Sequence, residues 1–348
     1  MTERSLVTAL SRAFVAFTIE VDNEFESRMP HRTAADRGDQ TKKGPWLTSL
    51  TYYSNYLRRI PDDGCPASEL ARGAGDDRQS IAGRLGELHR WGYVRVLPDE
   101  TDSRDRLVVP TRWGILARNT WEPLEAMVEE RWRARFGSDI VDSLPAGLTA
   151  LPIDEDLPMG FPILAWDRVR GLRSAETSVN AGLSTLLARA ILSMARDFDH
   201  ESPLSLSTTQ NLVRAIDGRV AVRDLPLRCG ISKEAIAIGV GRLVRSGLAV
   251  QSENPRTVEL TARGRSASRS SLEQRTELDE RWGETTGLGG ILTDVVGPRL
   301  AEGLEPPPDG WRAHPPYLAQ TRATLADPEA ALPAFPMVSH RGGYPDGC

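Results

Sequence analysis

Apolar residues recur at helical spacing in the first stretch of the chain. Leu6, Leu10, Phe14, Phe17 and Val21 fall on one face of a predicted helix of about six turns. This face is too apolar to stand in water, so we expect it to be buried against other helices. The same apolar pattern returns later in the chain at one fixed offset, in Leu183, Leu187, Ala190, Ile191, Met194 and Phe198.

The pattern changes between residues 65 and 114, which predict two short helices, a tight turn between them and then two strands. In the second helix Ile81, Leu85 and Leu88 are spaced to form one buried stripe, which leaves the opposite face open for recognition. Gly92 is typical of a residue that ends a helix. The strands that follow flank a charged loop. This order of elements favours a nucleic-acid-binding motif.

Arginine dominates the basic residues of this motif, and its guanidinium suits bidentate contacts to bases and phosphates. The charged loop also carries acids, which would repel a phosphate backbone if they were free. We therefore expect Asp102 or Asp105 to pair with an arginine of the loop and orient it. The predicted DNA contacts of this motif are Arg78, Gln79, Arg84, Arg90, Arg104 and Arg106.

The run RWGYVRVLPDETDSRDRLVVPTRWG, residues 90–114, resembles the winged helix-turn-helix of MarR-type regulators. It matches their Gly-hydrophobic-x-Arg, Asp-x-Arg-Asp-Arg and Thr-x-x-Gly pattern. The resemblance implies that the second helix docks in a major groove and that the loop, or wing, reaches the adjacent minor groove. It also implies flanking helices that dimerise and a small molecule that tunes DNA affinity.

The second half of the chain repeats this arrangement, which predicts a tandem duplication. Residues 232–247 align with the second helix of the first motif, and Thr261-Ala-Arg-Gly aligns with Thr111-Arg-Trp-Gly. Glu280-Arg-Trp likewise aligns with Glu130-Arg-Trp, and the Pro-rich run from Leu157 aligns with the run from Leu332. The fold predicted is mainly α with small β wings, built of two MarR-like units that form an intramolecular pseudo-dimer.

The predicted boundaries are a first unit at residues 1–165 and a second unit at residues 178–305. Their winged motifs, here called the first reader and the second reader, span residues 66–114 and 222–264. A Pro- and Gly-rich C-terminal arm occupies residues 306–348. The predicted DNA contacts of the second reader are Lys233, Arg242 and Arg256.

One chain that holds both readers predicts a monomeric pseudo-dimer or a homodimer on double-stranded DNA, acting as a sequence-specific, ligand-responsive transcriptional regulator. Basic residues outnumber acidic ones only in the second reader. Either this reader grips phosphates while the first reads bases, or its exposed Ile238 marks a surface for a protein or ligand. The alternative function is a ligand- or protein-binding scaffold that has lost DNA binding.

Composition limits the other classes of function. A net charge of -5 over 348 residues argues against a generic polyanion binder but allows a sequence-specific one. No apolar run predicts a membrane span or a signal peptide, so a cytoplasmic location is expected. The cysteines and histidines lack metal-ligand spacing, and no nucleotide-binding or catalytic motif occurs. We therefore expect no enzyme activity and no cofactor.

An effector pocket is a further hypothesis. Aromatic residues of the flanking helices could line an apolar cavity, with an arginine and a histidine as its polar groups. Aromatic residues at such spacings are also typical of an ordinary core. The residues concerned are Arg28, His31, Trp46, Tyr53, Trp121 and Trp132.

Overall fold

A computed structural model describes residues 5–33, 44–76, 78–100, 102–154, 157, 182–283 and 287–335. Within these ranges the side chains of residues 78–80 and 316 are not described. The protein is mainly helical with small antiparallel sheets, which confirms the fold class at that level. The Pro-rich run after Leu157 and the end of the C-terminal arm after Phe335 lie outside the described residues.

The first half of the described chain, residues 6–149, alternates long helices with one small sheet. Its elements are α1 (Leu6–Arg28), α2 (Leu50–Asn55), β1 (Cys65–Pro66), α3 (Ala67–Gly73), α4 (Arg78–Trp91), β2 (Val94–Pro98), β3 (Arg106–Pro110), α5 (Arg112–Trp121), α6 (Leu124–Phe136) and α7 (Ser138–Thr149).

The second half, residues 183–295, follows the same order with one difference. Its elements are α8 (Leu183–Glu201), α9 (Gln210–Ala215), β4 (Val220–Ala221), α10 (Leu225–Cys229), α11 (Lys233–Arg245), β5 (Ala249–Glu253), β6 (Arg256–Leu260), α12 (Ala262–Gly283) and α13 (Leu288–Val295). The single helix α12 stands where the first half has α5 and α6. Two helices, α14 (Pro315–Ala326) and α15 (Pro328–Ala331), follow in the C-terminal segment.

Helix α1 lies at the centre of the molecule and is buried on nearly all sides. It packs against α6 of its own half and against α8, α12 and α13 of the other. The last helix of each half contacts the first helix of the other half, because α7 packs on α8 and α13 packs on α1. The apolar stripe predicted for α1 is confirmed, and the burial extends beyond it to the acids Glu20, Asp22 and Glu26.

Each sheet has three strands, in the orders β1-β3-β2 and β4-β6-β5. The hairpins have matching registers, with Val94 opposite Pro110 and Ala249 opposite Leu260. The short strands β1 and β4 are additional to the two strands that the sequence predicted for each reader. The structure places Pro66 in β1 and begins α3 at Ala67, and a proline is compatible with this edge strand because it has no N–H to offer a neighbour.

The two halves differ at residues 113–136, where the second half has the single helix α12. The structure divides them into α5 and α6, with Pro123 directly before the first residue of α6. Proline lacks an amide hydrogen and clashes with the preceding turn, so the helix cannot run through it unchanged. In α12 no proline occurs, and the helix is continuous.

Candidate nucleic-acid interface

Helices α3 and α4 follow each other across a tight turn, and apolar contacts fix them on one side. Ile81, Leu85 and Leu88 of α4 are buried, which confirms the predicted stripe. The turn between the helices contains Gly75 at a φ of +65°, a left-handed conformation that favours glycine. The opposite face of α4 exposes Ala82, Gly83, Gly86 and Arg90.

Thr111 joins the end of α4 to the base of the hairpin. Its hydroxyl donates to the carbonyl of Gly92 at 2.6 Å and accepts the N–H groups of Trp113 and Gly114, each at 3.2 Å. It therefore caps α5 while it holds the residue that follows α4. Gly114 must be a glycine because a Cβ there would overlap the carbonyl oxygen of Tyr93. These contacts give the Thr-x-x-Gly pattern a physical cause.

The second half repeats this joint. The Thr261 hydroxyl donates to the carbonyl of Gly247 at 2.9 Å and accepts the N–H of Gly264 at 3.0 Å. A Cβ at Gly264 would overlap the carbonyl oxygen of Leu248. In both halves the threonine hydroxyl therefore links the glycine carbonyl after α4 or α11 to a glycine N–H in the first turn of α5 or α12.

The tip of the first hairpin is held through its backbone. Asp102 accepts the N–H of Arg104 at 2.9 Å, and Asp105 accepts the N–H of Arg106 at 2.8 Å. The second oxygen of Asp105 accepts the N–H of Ser68 at 3.3 Å, which ties the hairpin to α3. Both acids thus accept backbone amides, and the predicted pairing of Asp102 or Asp105 with an arginine of the loop stays a prediction. The side chains of Arg104 and Arg106 are exposed.

The predicted contacts of α4 lie in different surroundings. Arg78 and Gln79 belong to its first turn, and their side chains are outside the description. Arg84 is half-buried, with its guanidinium 3.5 Å from both the Glu87 carboxylate and the Tyr52 hydroxyl. Arg84 thus faces α2 and not the exposed side of α4.

The Tyr52 hydroxyl also donates to Glu87, so α2 and α4 are connected by a polar cluster of Tyr52, Arg84 and Glu87. Burial raises the pKa of Tyr52 well above its ordinary value, so its hydroxyl stays protonated and remains a donor at neutral pH. Tyr56 adds a second link, because its hydroxyl donates to Asp76 of the turn at 2.9 Å. The sequence prediction missed this cluster, because nothing in the spacing shows that α2 crosses α4.

Of the three predicted DNA contacts of the second reader, two are exposed and one is half-buried. Lys233, the first residue of α11, is exposed, with its ammonium 3.7 Å from Glu234 and 5.9 Å from the ring centre of Tyr317. Arg242 is half-buried, and Arg256 is exposed at the hairpin tip opposite Glu253. Ile238 is 37% exposed on α11, so an apolar side chain does face solvent on this helix.

The six residues of the hypothesised effector pocket occur mainly in packed contacts. Trp121 stacks between Phe25 and Tyr53, at ring distances of 4.1 and 5.6 Å. Trp132 contacts Phe17 edge-on at 5.2 Å and belongs to a different stack along α1. Both tryptophans are therefore packed in the core, and the effector pocket stays a prediction.

The polar members of that set also have partners. The Arg28 guanidinium binds Glu24 at 2.5 Å, and His31 lies 3.2 Å from Glu26 and 2.6 Å from the carbonyl of Met29. The backbone of Trp46 forms an isolated β-bridge with that of Arg32. The Trp46 carbonyl accepts a hydrogen bond from the Tyr93 hydroxyl at 2.7 Å. The contact of Trp46 with Tyr93 joins the residues before α2 to the first reader.

Reactive and metal-binding chemistry has little support in the described part of the chain. Burial raises the pKa of the Cys65 thiol to about 11, which keeps it protonated and unreactive at neutral pH. No group of three or more His, Cys, Asp or Glu side chains within the described ranges is arranged to hold a metal ion. No helix among the described residues is both long enough and apolar enough to cross a bilayer.

Comparison with known proteins gives one informative similarity. A segment of 80 residues is 38% identical to the transcriptional activatory protein BadR of Rhodopseudomonas palustris. The segment covers 23% of this chain and 42% of BadR, so the match spans less than half of that relative. No protein-family model matches the chain. No solved structure matches it either.

Proposed function

We propose that this protein is a sequence-specific DNA-binding transcriptional regulator with two non-equivalent winged helix-turn-helix readers of the MarR type in one chain. The observation that carries the proposal is the recurrence, in both halves, of a helix-turn-helix joined to a hairpin whose tip exposes arginine. The similarity to a transcriptional activator supports the same function. An exposed helix and the arginines of a hairpin tip are the parts that such motifs present to the grooves and the backbone of DNA.

A tandem duplication is supported by side-chain contacts that occur twice. Asp22 on α1 accepts the N–H of Leu50 at 3.0 Å, and Asp199 on α8 accepts the N–H of Leu206 at 2.8 Å. A tryptophan of a later helix donates its indole N–H to the first helix in each half. These pairs are Trp132 with Glu20 at 2.9 Å and Trp282 with Asp197 at 3.0 Å.

An intramolecular pseudo-dimer is part of the proposal, and the reciprocal packing of α1, α7, α8 and α13 supports it. A regulator of one unit needs two copies to place two recognition helices on successive grooves. Here both helices belong to one chain. Because their surfaces differ, the DNA site that they bind need not be palindromic.

The test is selection of binding sites from a genomic DNA pool at low and moderate salt, with three variants in parallel. We expect wild type to enrich a defined site and Arg104→Ala to lose about 1–3 kcal/mol of binding free energy, with relaxed specificity. Arg256→Ala should weaken binding to all sequences evenly and lower the slope of affinity against salt by about one. The control is Arg299→Ala, an exposed arginine outside both readers.

The second candidate is a protein- or ligand-binding scaffold that has lost DNA binding. It is favoured by the exposed apolar residues of the second reader, Ile238 at 37% and Val250 at 57%. Salt separates the two candidates, because phosphate contacts release counterions and a scaffold releases none. A folded protein that shows no salt-sensitive DNA binding and enriches no site would exclude the regulator and leave the scaffold.

A further inference from the structure

Residues 332–335, here called the anchor segment, follow α15 and lie in a groove between distant parts of the chain. Leu332 and Phe335 are 4% and 0% exposed, and the two residues between them are also buried. Leu332 has an extended backbone, with φ at −69° and ψ at 145°. The residues that contact the segment are Ser11 of α1, Asn211 and Arg214 of α9, Gly230 after α10 and Arg275 of α12.

The groove binds the backbone of the anchor segment. The side-chain amide of Asn211 accepts the N–H of Phe335 at 3.1 Å and donates to the Phe335 carbonyl at 2.6 Å. The Ser11 hydroxyl donates to the carbonyl of Pro333 at 3.0 Å. Asparagine carries both a donor and an acceptor, so one side chain satisfies both backbone groups of Phe335. Proteins that bind extended peptides use hydrogen bonds to the peptide backbone in the same way.

The Phe335 ring is the part of the segment that the groove can select. The guanidiniums of Arg214 and Arg275 lie 5.6 and 5.5 Å from the centre of this ring. A guanidinium at such a distance is attracted to the face of an aromatic ring. Burial, and to a smaller extent the charge of Arg214, lowers the pKa of Arg275 to about 10, so it stays charged at neutral pH. An aromatic ring therefore suits this position better than an aliphatic side chain.

The anchor segment also contacts the end of α10. Gly230, in the turn between α10 and α11, has a φ of +69°, and a Cβ there would overlap the carbonyl oxygen of Ala331. The Cys229 thiol, at the last residue of α10, donates to the carbonyl of Asn211 at 3.4 Å. Helices α14 and α15 both pack on α10. The position of α10 thus depends on the groove and on the segment that fills it.

We propose that this groove is a peptide-binding site, that residues 332–335 are its built-in ligand, and that their binding fixes the position of α10. The ligand class is an extended peptide with the pattern Leu-Pro-x-Phe. Because the built-in ligand is tethered, it competes with any free peptide at an effective concentration on the order of millimolar. A free peptide of this pattern therefore binds well only when the anchor segment is released. Any consequence for DNA affinity rests on the proposed function.

The test is titration calorimetry of the full chain with the peptide acetyl-Ala-Leu-Pro-Ala-Phe-amide. A released variant, Leu332→Ser with Phe335→Ser, removes the two large apolar side chains of the anchor segment and keeps every lining residue of the groove. We expect it to bind the peptide with a dissociation constant on the order of millimolar or below, and wild type to bind at least about tenfold more weakly. A control peptide with alanine in place of phenylalanine should bind the released variant at least about tenfold more weakly.

Hydrogen exchange gives a second readout. Residues 225–245 should exchange at least about tenfold faster in the released variant than in wild type, and the free peptide should restore their protection. Neither this measurement nor the calorimetry involves DNA, so this proposal and the proposed function can fail separately.

Asn211→Ala locates the site, and Asn119→Ala, at an exposed position on α5, is its matched control. In the released variant Asn211→Ala should abolish peptide binding, whereas Asn119→Ala should leave it unchanged. Binding that survives Asn211→Ala, equal binding of the two peptides, equal binding by wild type and the released variant, or no binding by the folded released variant would each overturn the proposal.

Thermal unfolding verifies that each variant is folded. If the released variant does not fold, Asn211→Ala in the otherwise wild-type chain decides. It should speed exchange of the Phe335 amide hydrogen at least about tenfold, because it removes the acceptor of that hydrogen. Exchange at the wild-type rate would overturn the proposal.

Discussion

Thr111 fixes the base of the first hairpin with one hydroxyl group. The sequence showed Thr-x-x-Gly only as part of a family pattern, and spacing alone gave no reason for its glycine. The structure supplies the reason, because Gly114 lies against the carbonyl oxygen of Tyr93, a residue on the other side of the hairpin. That contact joins positions far apart in sequence, so only the folded chain could show it.

We expect Thr111→Val to lower the free energy of unfolding by about 1–2 kcal/mol, since it removes a helix cap and leaves the Gly92 carbonyl without its donor. The measurement is urea denaturation followed by circular dichroism. Thr120→Val is the matched control, because the Thr120 hydroxyl bonds only within its own helix, to Leu116 at 2.8 Å. Equal losses of unfolding free energy in the two variants would show that the link between α4 and α5 stabilises the protein no more than a hydrogen bond within one helix.

Helix α4 shows what periodicity can predict and what it cannot. The spacing of Ile81, Leu85 and Leu88 predicted the buried stripe, and their burial confirms it. Arg84 was predicted as a DNA contact of the same motif. Its place at the edge of the stripe brings it under α2, where Tyr52 and Glu87 are its neighbours. Tertiary packing, and not the helical period, decided this side chain.

Two arginines on α4 should therefore have different roles. We expect Arg84→Ala to lower stability by about 1–3 kcal/mol, because it takes a charged partner from the half-buried Glu87 and the buried Tyr52. Its effect on the salt dependence of DNA affinity should be small. Arg90→Ala, at an exposed position, should leave stability within about 0.5 kcal/mol. It should lower the slope of DNA affinity against salt.

Urea denaturation and DNA titration at several salt concentrations measure both effects. The assignment fails if Arg84→Ala changes the salt slope while the unfolding midpoint stays at the wild-type value.

On the scale of the whole molecule, a buried ion pair connects α1 to α6. Arg135 binds Glu20 through two hydrogen bonds, of 2.6 and 3.1 Å, and the two side chains are 8% and 1% exposed. The Trp132 indole donates to the same carboxylate, and Gly303 of the C-terminal segment leaves it room. Glu20 on α1 thereby contacts α6 and lies against the C-terminal segment, although these parts are far apart in sequence.

We expect Arg135→Met to destabilise the protein by about 3–5 kcal/mol, because it leaves the Glu20 charge buried without its cation. The double variant Glu20→Leu with Arg135→Met should be more stable than Arg135→Met alone. The control Arg133→Met removes an arginine whose partners Asp142 and Glu130 are exposed, and should cost under about 1 kcal/mol. Additive losses in the double variant, by urea denaturation, would show that the two charges are not coupled.

The sequence by itself determined the main helices, the hairpins and the order in which they recur, because periodicity, prolines and glycines act over a few residues at a time. It also identified the exposed arginines of both hairpin tips. Only the tertiary structure decided the short third strands, the attachment of Asp105 to backbone amides and the position of Arg84. It also decided the packing of the aromatic residues. Each of these depends on contacts between segments distant in sequence, and no local pattern encodes which of them meet.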